Sequence, residues 1–336
     1  MLLRRLEQQL VRRRAFLRAM SGAAAWPLAA RAQQADLPVI GFLNAGSPQT
    51  TAFLLNAFRS GLAEIGFVEG KNLAIEYRWA EGRYDKLRAL ATELVRHQVK
   101  VIAALGTAAP GLAAKTVTST IPIIFTSGDD PVKVGLVPNI NHPGGNVTGV
   151  HLFLTGLSGK KLSLLHDLLP KTRLVGVCLN RSNQNAQIQA TELLDSARAL
   201  GVQISIVFAG NEHEIDAAIA SLVEQRVGAI IVGSDPFYLA RRDQFVARVA
   251  SYGIPTVYPS RDYVAAGGLL SYGTSISDAY RQAGAYVGRV LKGEKPAGLP
   301  VVQSSKFEFA INLKTAKALG LGIPSGVLAI ADEVIE

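Results

Sequence analysis

Two short loops concentrate the side chains from which chemistry could be built. In "GTAAP", Thr107 precedes an apolar run with helical spacing, where free backbone N–H groups and a hydroxyl suit an anion. In "GSDPFY", Asp235 precedes Pro236, a residue that fits a first helical turn. A carboxylate there either caps the helix or holds an ammonium group. Around them stand further polar candidates: Asn44 and Ser47, Ala108 beside Thr107, Ser127 and Asp130, Asn180 and Asn183, Tyr238, and Arg261. Ser47 and Thr107 have the simpler reading of helix caps, Tyr238 that of a buried aromatic, and Arg261 that of a solvated cation. Taken together they suit a small polar or zwitterionic molecule held by several loops. They do not suit bond-making chemistry: there is no G-x-S-x-G, H-E-x-x-H or G-x-x-x-x-G-K-[ST]. The five histidines are scattered without metal-ligand spacing, so no metal and no cofactor is expected. Asp129 and Asp130 are sequence neighbours that point apart, which argues against a paired-carboxylate site.

These loops share a position. Each follows a short β-branched run and precedes a helical pattern: "PVIGFLN" before a helix at 50–66, then "LAIEYRW", a helix at 84–98, "VIAALG", a helix at 108–118 and "IPIIFTSG". Such alternation implies parallel sheets covered by helices on both faces. The order then recurs. "IGFLNAGSPQT" matches "VGVCLNRSNQN" before a helix at 185–200, and "ATELVRHQVKVIAALGT" matches "IASLVEQRVGAIIVGSD", aligning Leu94 with Leu222. The reading is two similar doubly wound α/β lobes. Beyond them come a helix at 236–252, the strand "GGLLSYG", a helix at 276–292, the strand "KFEFAINL" and a last helix in "KTAKALGL". The chain then crosses between lobes three times, near 149, 274 and 305. That assigns 38–149 plus 275–304 to lobe one and 150–274 plus 305–336 to lobe two, with a three-strand hinge. In open α/β sheets ligands sit beyond the carboxyl ends of the strands, which puts the polar loops of both lobes on one cleft.

The first 32 residues read differently. Arg12, Arg13 and Arg14 precede a short apolar run, Ala19 to Ala30, and Ala30-Arg31-Ala32 has the small-x-small form of a cleavage site. "RRAFLR" resembles a twin-arginine export motif. Residues 1–32 are therefore expected to be a cleaved export signal and the remainder periplasmic. The whole chain has 35 Lys+Arg against 26 Asp+Glu, net +9. The leader accounts for seven arginines and one glutamate, leaving 28 against 25, net +3. That balance, with no basic stripe, argues against nucleic acid. The one cysteine, Cys178, sits among apolar neighbours and reads as a buried strand residue.

Several stretches carry a family resemblance. "PVIGFLNAGSP", "AFRSGLAEIGFVEGKNLAIEYRWAEGRYDKL", "DPVKVGLV", "HPGGNVTGV", "VGSDPFYLARRDQ" and "NLKTAKALGLGIP" resemble the ABC transporter substrate-binding protein family whose better-known members bind tryptophan and related amino acids. The resemblance covers essentially all of 38–336. It implies a periplasmic binding protein-like I fold, a pocket on the loops named above, and a monomer without cofactor. It also implies delivery of a small polar solute, an amino acid or related small organic acid, to an ABC permease in the inner membrane. A sensor docking on a membrane receptor and a periplasmic hydrolase are the competing readings.

Overall fold

The computed structural model describes residues 37–336 except 50, 153–156, 184 and 305. The expected export signal at 1–32 lies outside the described residues.

Two sheets form the framework. The first contains β1 (Val39–Asn44), β2 (Ala74–Trp79), β3 (Ile102–Leu105), β4 (Ile123–Ser127), β5 (Val147–Leu152) and β11 (Val302–Ser304), in the order β11-β5-β4-β3-β1-β2. Every pairing in it is parallel. The second contains β6 (Leu174–Leu179), β7 (Gln203–Phe208), β8 (Ala229–Val232), β9 (Thr256–Tyr258), β10 (Leu270–Thr274), β12 (Phe307–Asn312) and β13 (Glu333–Ile335), in the order β13-β12-β10-β9-β8-β6-β7. Taking the first five strands of each sheet in chain order, both show the order 2-1-3-4-5. The repeat seen in the sequence is therefore a repeat of topology.

The helices are α1 (Ala52–Glu64), α2 (Leu87–Arg96), α3 (Ala108–Val117), α4 (Leu157–Leu168), α5 (Ala186–Leu200), α6 (Glu212–Glu224), α7 (Pro236–Ala240), α8 (Arg242–Tyr252), α9 (Arg261–Ala265), α10 (Ile276–Leu291), α11 (Leu313–Ala318) and α12 (Ser325–Ala329). They cover strands that are buried on both faces, such as β3 and β8, whose residues are all buried.

The two halves also pack alike. A Cβ on Gly41 of β1 would lie 2.8 Å from Leu94 of α2, and one on Gly176 of β6 would lie 2.8 Å from Leu222 of α6. In each strand a glycine leaves the space that a leucine of the helix covering it fills.

Two expectations are corrected. The helix read over 236–252 is broken: Arg241 has φ −110° and ψ 20°, outside helical geometry, so α7 and α8 are separate. The second sheet is also not wholly parallel, because β10 and β12 run antiparallel. The chain leaves the end of β10 and re-enters at the start of β12 beside it, Ser275 N donating to the Lys306 carbonyl, so the two strands run in opposite directions.

The strand expected to cross near 149 stays in the first sheet to Leu152, which pairs with Ser304. The second and third crossings are tied together, Ser275 N–H donating to the Lys306 carbonyl at 2.9 Å. Between them α10 returns to the first half and lies against α1 at backbone contact. A Cβ on Gly61 would sit 1.8 Å from the Arg281 carbonyl oxygen, and one on Gly284 2.1 Å from that of Phe58. Only glycine permits this approach.

Candidate functional site

The carboxyl ends of both sheets converge on one cavity of about 360 Å³. From the first half come Asn44 to Gly46 after β1, Gly106 to Ala109 after β3, and Gly128 with Asp129 after β4. From the second come Ser182, Asn183 and Asn185 after β6, Ser234 to Pro236 after β8, and Pro259 with Ser260 after β9. Leu152, Thr274 and Ile276 contribute where the chain crosses, and Leu54, Leu239, Tyr84, Tyr263 and Tyr280 add apolar and aromatic surface. A volume of this size, mostly apolar with a few convergent polar groups, fits a small-molecule site.

On the first half, the loops are held by short-range hydrogen bonds. Asn44 is 1 % exposed; its Oδ1 accepts from Gly46 N at 2.7 Å and its Nδ2 donates to the Tyr280 hydroxyl at 2.9 Å. This ties the end of β1 to α10. Asn180 repeats the turn at the end of β6, its Oδ1 accepting from Ser182 N at 3.0 Å. Thr107 is extended at φ −148° and its Oγ1 accepts from Ala109 N at 3.3 Å, so it caps α3. Gly106 before it adopts φ +109°, and its N–H donates to Thr126 Oγ1 at 2.8 Å. Asp129 N donates to Ser127 Oγ at 3.0 Å. Burial raises the Asp129 carboxyl above its usual range, opposed by the Asn185 side chain, the Ala108 N–H and Ser127. The Asn185 contact comes from the other half of the molecule.

On the second half, Asp235 organises the wall. Its Oδ1 accepts from Phe237 N at 2.8 Å, Tyr238 N at 3.3 Å and Asn180 Nδ2 at 3.3 Å, and its Oδ2 accepts from Asn183 Nδ2 at 2.7 Å. It caps α7 and lines the cavity at once. Burial again raises its carboxyl, and these four donors pull in the opposite direction. Gln189 fixes the preceding residue, accepting from Ser234 N at 2.8 Å and donating to Ser234 O at 3.1 Å.

Two tyrosines complete the polar surface. Tyr84 keeps 45 % of its surface exposed, at the cavity mouth. Desolvation first, then the charges of Asp235 and Asp129, push its hydroxyl up to about 12. Tyr263 is fully buried and stacks on Tyr258 at 4.9 Å and 16°. Its hydroxyl has no hydrogen-bond partner among the described residues. Among the described residues that line the cavity, Asp129 and Asp235 are the only carboxyl side chains, and no Lys, Arg or His joins them.

The eleven sequence candidates divide. Asn44, Thr107, Ala108, Asn183 and Asp235 line the cavity. Asn180 stands behind Asp235 as a hydrogen-bond donor. Ser47 accepts from Thr51 through its carbonyl, Ser127 holds Asp129, and Asp130 Oδ1 accepts from Val132 N and Lys133 N in a turn. Tyr238 is buried with its hydroxyl donating to the Ala209 carbonyl at 2.8 Å. Arg261 pairs with Glu333 through two bonds of 2.8 and 2.7 Å. These last five lie off the cavity wall. The cavity is also lined by Asp129, from the loop the sequence offered at 127–130, and by Tyr84, Tyr263 and Tyr280, which were not among the sequence candidates. Asp129 was legible as part of the loop after β4, whereas the tyrosines lie on elements that only the tertiary fold brings to the cleft.

Comparison with known proteins accords with this geometry. The family described as ABC transporter substrate binding protein matches residues 49–335. A tyrosine-binding protein of Clostridioides difficile strain R20291 is 30% identical over 265 residues, which is 79% of this chain and 75% of that protein. A Streptococcus pneumonia ABC domain solved in complex with L-Trp is 27% identical with a TM-score of 0.76, covering 88% of this chain and 100% of that one. A ligand-free, open structure of a Clostridium difficile substrate-binding protein with adhesive properties is 25% identical with a TM-score of 0.65, covering 89% and 99%.

Proposed function

We propose that this chain, which belongs to the ABC transporter substrate binding protein family, captures an amino acid between its two halves and hands it to a membrane permease. The observation that carries the proposal is the cavity itself, built from strand ends of both sheets and holding polar groups from each. A ligand there contacts both halves at once, and so favours the closed arrangement over any in which the halves are apart. Two comparisons support an amino acid as cargo: the tyrosine-binding relative and the neighbour holding L-Trp. At similar identity the likeness is greater to the L-Trp complex, 0.76, than to the ligand-free, open structure, 0.65. This supports reading the present arrangement as the closed one.

In this proposal the protein is a monomer that returns its ligand unchanged. It is exported by way of residues 1–32 and works in the periplasm. The carboxylates serve the capture of a solute: Asp235 is bound to the start of α7 and Asp129 faces the start of α3, so neither is paired with the other for acid–base work.

The test is mass spectrometry of small molecules released by denaturing the purified protein, followed by titration calorimetry with the compounds found and with L-tryptophan and L-tyrosine. An amino acid bound stoichiometrically and recovered intact is expected. Conversion of the compound into a product would sink the capture reading.

A further inference from the structure

We infer that the cavity recognises its ligand through an amino group, so that an amine lacking a carboxylate is held and an acid lacking an amine is not. This rests on the amino-acid reading above and narrows it. The first observation is electrostatic. The helix starts whose free N–H groups could hold a ligand carboxylate face carboxylates of the chain itself. Asp235 Oδ1 takes the Phe237 and Tyr238 N–H groups at the start of α7, and Asp129 faces the Ala108 N–H at the start of α3. With no cationic side chain among the described residues of the wall, an acid without a positive charge would meet two buried carboxylates and gain no cationic partner for its own.

The second observation is independent. Tyr263 is fully buried, lines the cavity, and its hydroxyl has no hydrogen-bond partner among the described residues. Buried hydroxyls are nearly always paired, so this one calls for a partner that the described residues do not supply. Asp129, Asp235 and Tyr263 all line this one cavity. An ammonium group has three donors and no acceptor. Asp129, Asp235 and the Tyr263 hydroxyl oxygen offer it three acceptors, and Asp235 Oδ2, with its single bond to Asn183, retains capacity for one more.

The experiment uses matched triplets of probes on protein freed of ligand by unfolding and refolding. One is L-tryptophan, tryptamine and indole-3-propionate; another is L-tyrosine, tyramine and 3-(4-hydroxyphenyl)propionate; a third is L-leucine, isoamylamine and 4-methylpentanoate. In the triplet that binds, the amine is expected within about tenfold of the amino acid and the acid at least a hundredfold weaker. Tyr263→Phe is expected to weaken the amine about tenfold while leaving the unfolding midpoint of the ligand-free protein unchanged or higher. An amine that binds while its amino acid does not would remove the amino-acid reading and keep this one. An amino acid and its acid that bind while the amine fails would overturn this inference and leave that reading standing. Silence across all three triplets would overturn both. A Tyr263→Phe protein with a lowered midpoint and unchanged affinity would show a structural hydroxyl and overturn its part in recognition.

Discussion

Asn183 Nδ2 donates to Asp235 Oδ2 at 2.7 Å, while the other oxygen of the same carboxylate caps α7 through Phe237 N and Tyr238 N. One carboxylate thus serves helix and cavity through different oxygens, and the alternatives of cap and ligand contact are not exclusive. The two roles separate by substitution. Asp235→Asn keeps a side-chain oxygen for the cap, at which Asn is as good as Asp, so unfolding free energy is expected to change by less than about 1 kcal/mol. Loss of a charge-assisted hydrogen bond to a ligand ammonium costs about 1.5–3 kcal/mol, or roughly tenfold to over a hundredfold in affinity. Asp235→Ala is expected to lose affinity and also about 0.5–2 kcal/mol of stability with the cap. Denaturant melts beside titration calorimetry check both.

Buried carboxylates on the cavity wall give stability and affinity opposite pH dependences. Burial raises the Asp129 and Asp235 carboxyls above the ordinary 3.8. The folded protein therefore holds these protons to higher pH than the unfolded chain does. The ligand-free protein should lose stability as pH rises from about 3.8 through the raised values, and level off above them. Affinity for an ammonium ligand should rise over the same window, because the ionised carboxylates attract it. Glu294 and Glu333 are lowered by Arg289 and Arg261 and act in the reverse sense, so the useful quantity is wild type minus Asp129→Asn. That difference in unfolding free energy, measured between pH 4 and 7 without ligand, should slope downward with pH. A flat difference would place the Asp129 carboxyl in an ordinary solvated setting.

The α1–α10 contact should be intolerant of a single methyl. Gly61→Ala would set a Cβ 1.8 Å from a backbone oxygen, and Gly284→Ala 2.1 Å from another. Backbone cannot rotate away as a side chain can, so the helices must separate. Each change is expected to cost about 1–3 kcal/mol or more. The double variant should cost less than the sum, since one displacement relieves both clashes. Urea melts of the three proteins measure this. Full additivity would mean that the two sites relax independently.

What the sequence revealed and what it hid follow one division. Patterns with local causes were legible: the alternation of buried strands and helices, and the matched pair Leu94 and Leu222, which fill the space where Gly41 and Gly176 lack a Cβ. The loops at strand ends were legible too, because parallel α/β topology fixes where they converge. Features set by tertiary contact were not. Nothing local distinguishes Asp130, which bonds its own turn, from Asp129, which faces the cavity. Tyr238 and Tyr263 have similar sequence settings, yet one hydroxyl reaches the Ala209 carbonyl and the other is left unpaired. The break at Arg241 sits within an uninterrupted helical pattern, with no Gly or Pro to mark it.

A contact across the cleft, away from the cavity, gives the last prediction. The Arg242 guanidinium, at the start of α8, lies 5.7 Å from the centre of the Phe53 ring on α1. The two residues belong to different halves, and neither lines the cavity. A cation–π pair of this exposure contributes about 0.5–1 kcal/mol, and only while the halves are together. If the ligand-free protein is mostly open, apparent affinity is the intrinsic affinity multiplied by the closed fraction. Phe53→Leu and Arg242→Gln should then each weaken ligand binding by about two- to fivefold. The double variant should be no weaker than the worse single one, because the second change removes a partner already lost. Dissociation should be faster, since closed complexes reopen more readily. Small-angle scattering of wild-type protein should show a smaller radius of gyration on adding ligand, and the variants should reach the same liganded radius at higher ligand concentration. Independent, additive losses in the double variant would show that the two residues act separately. An unchanged radius on saturating the wild-type protein with ligand would show that capture proceeds without closure.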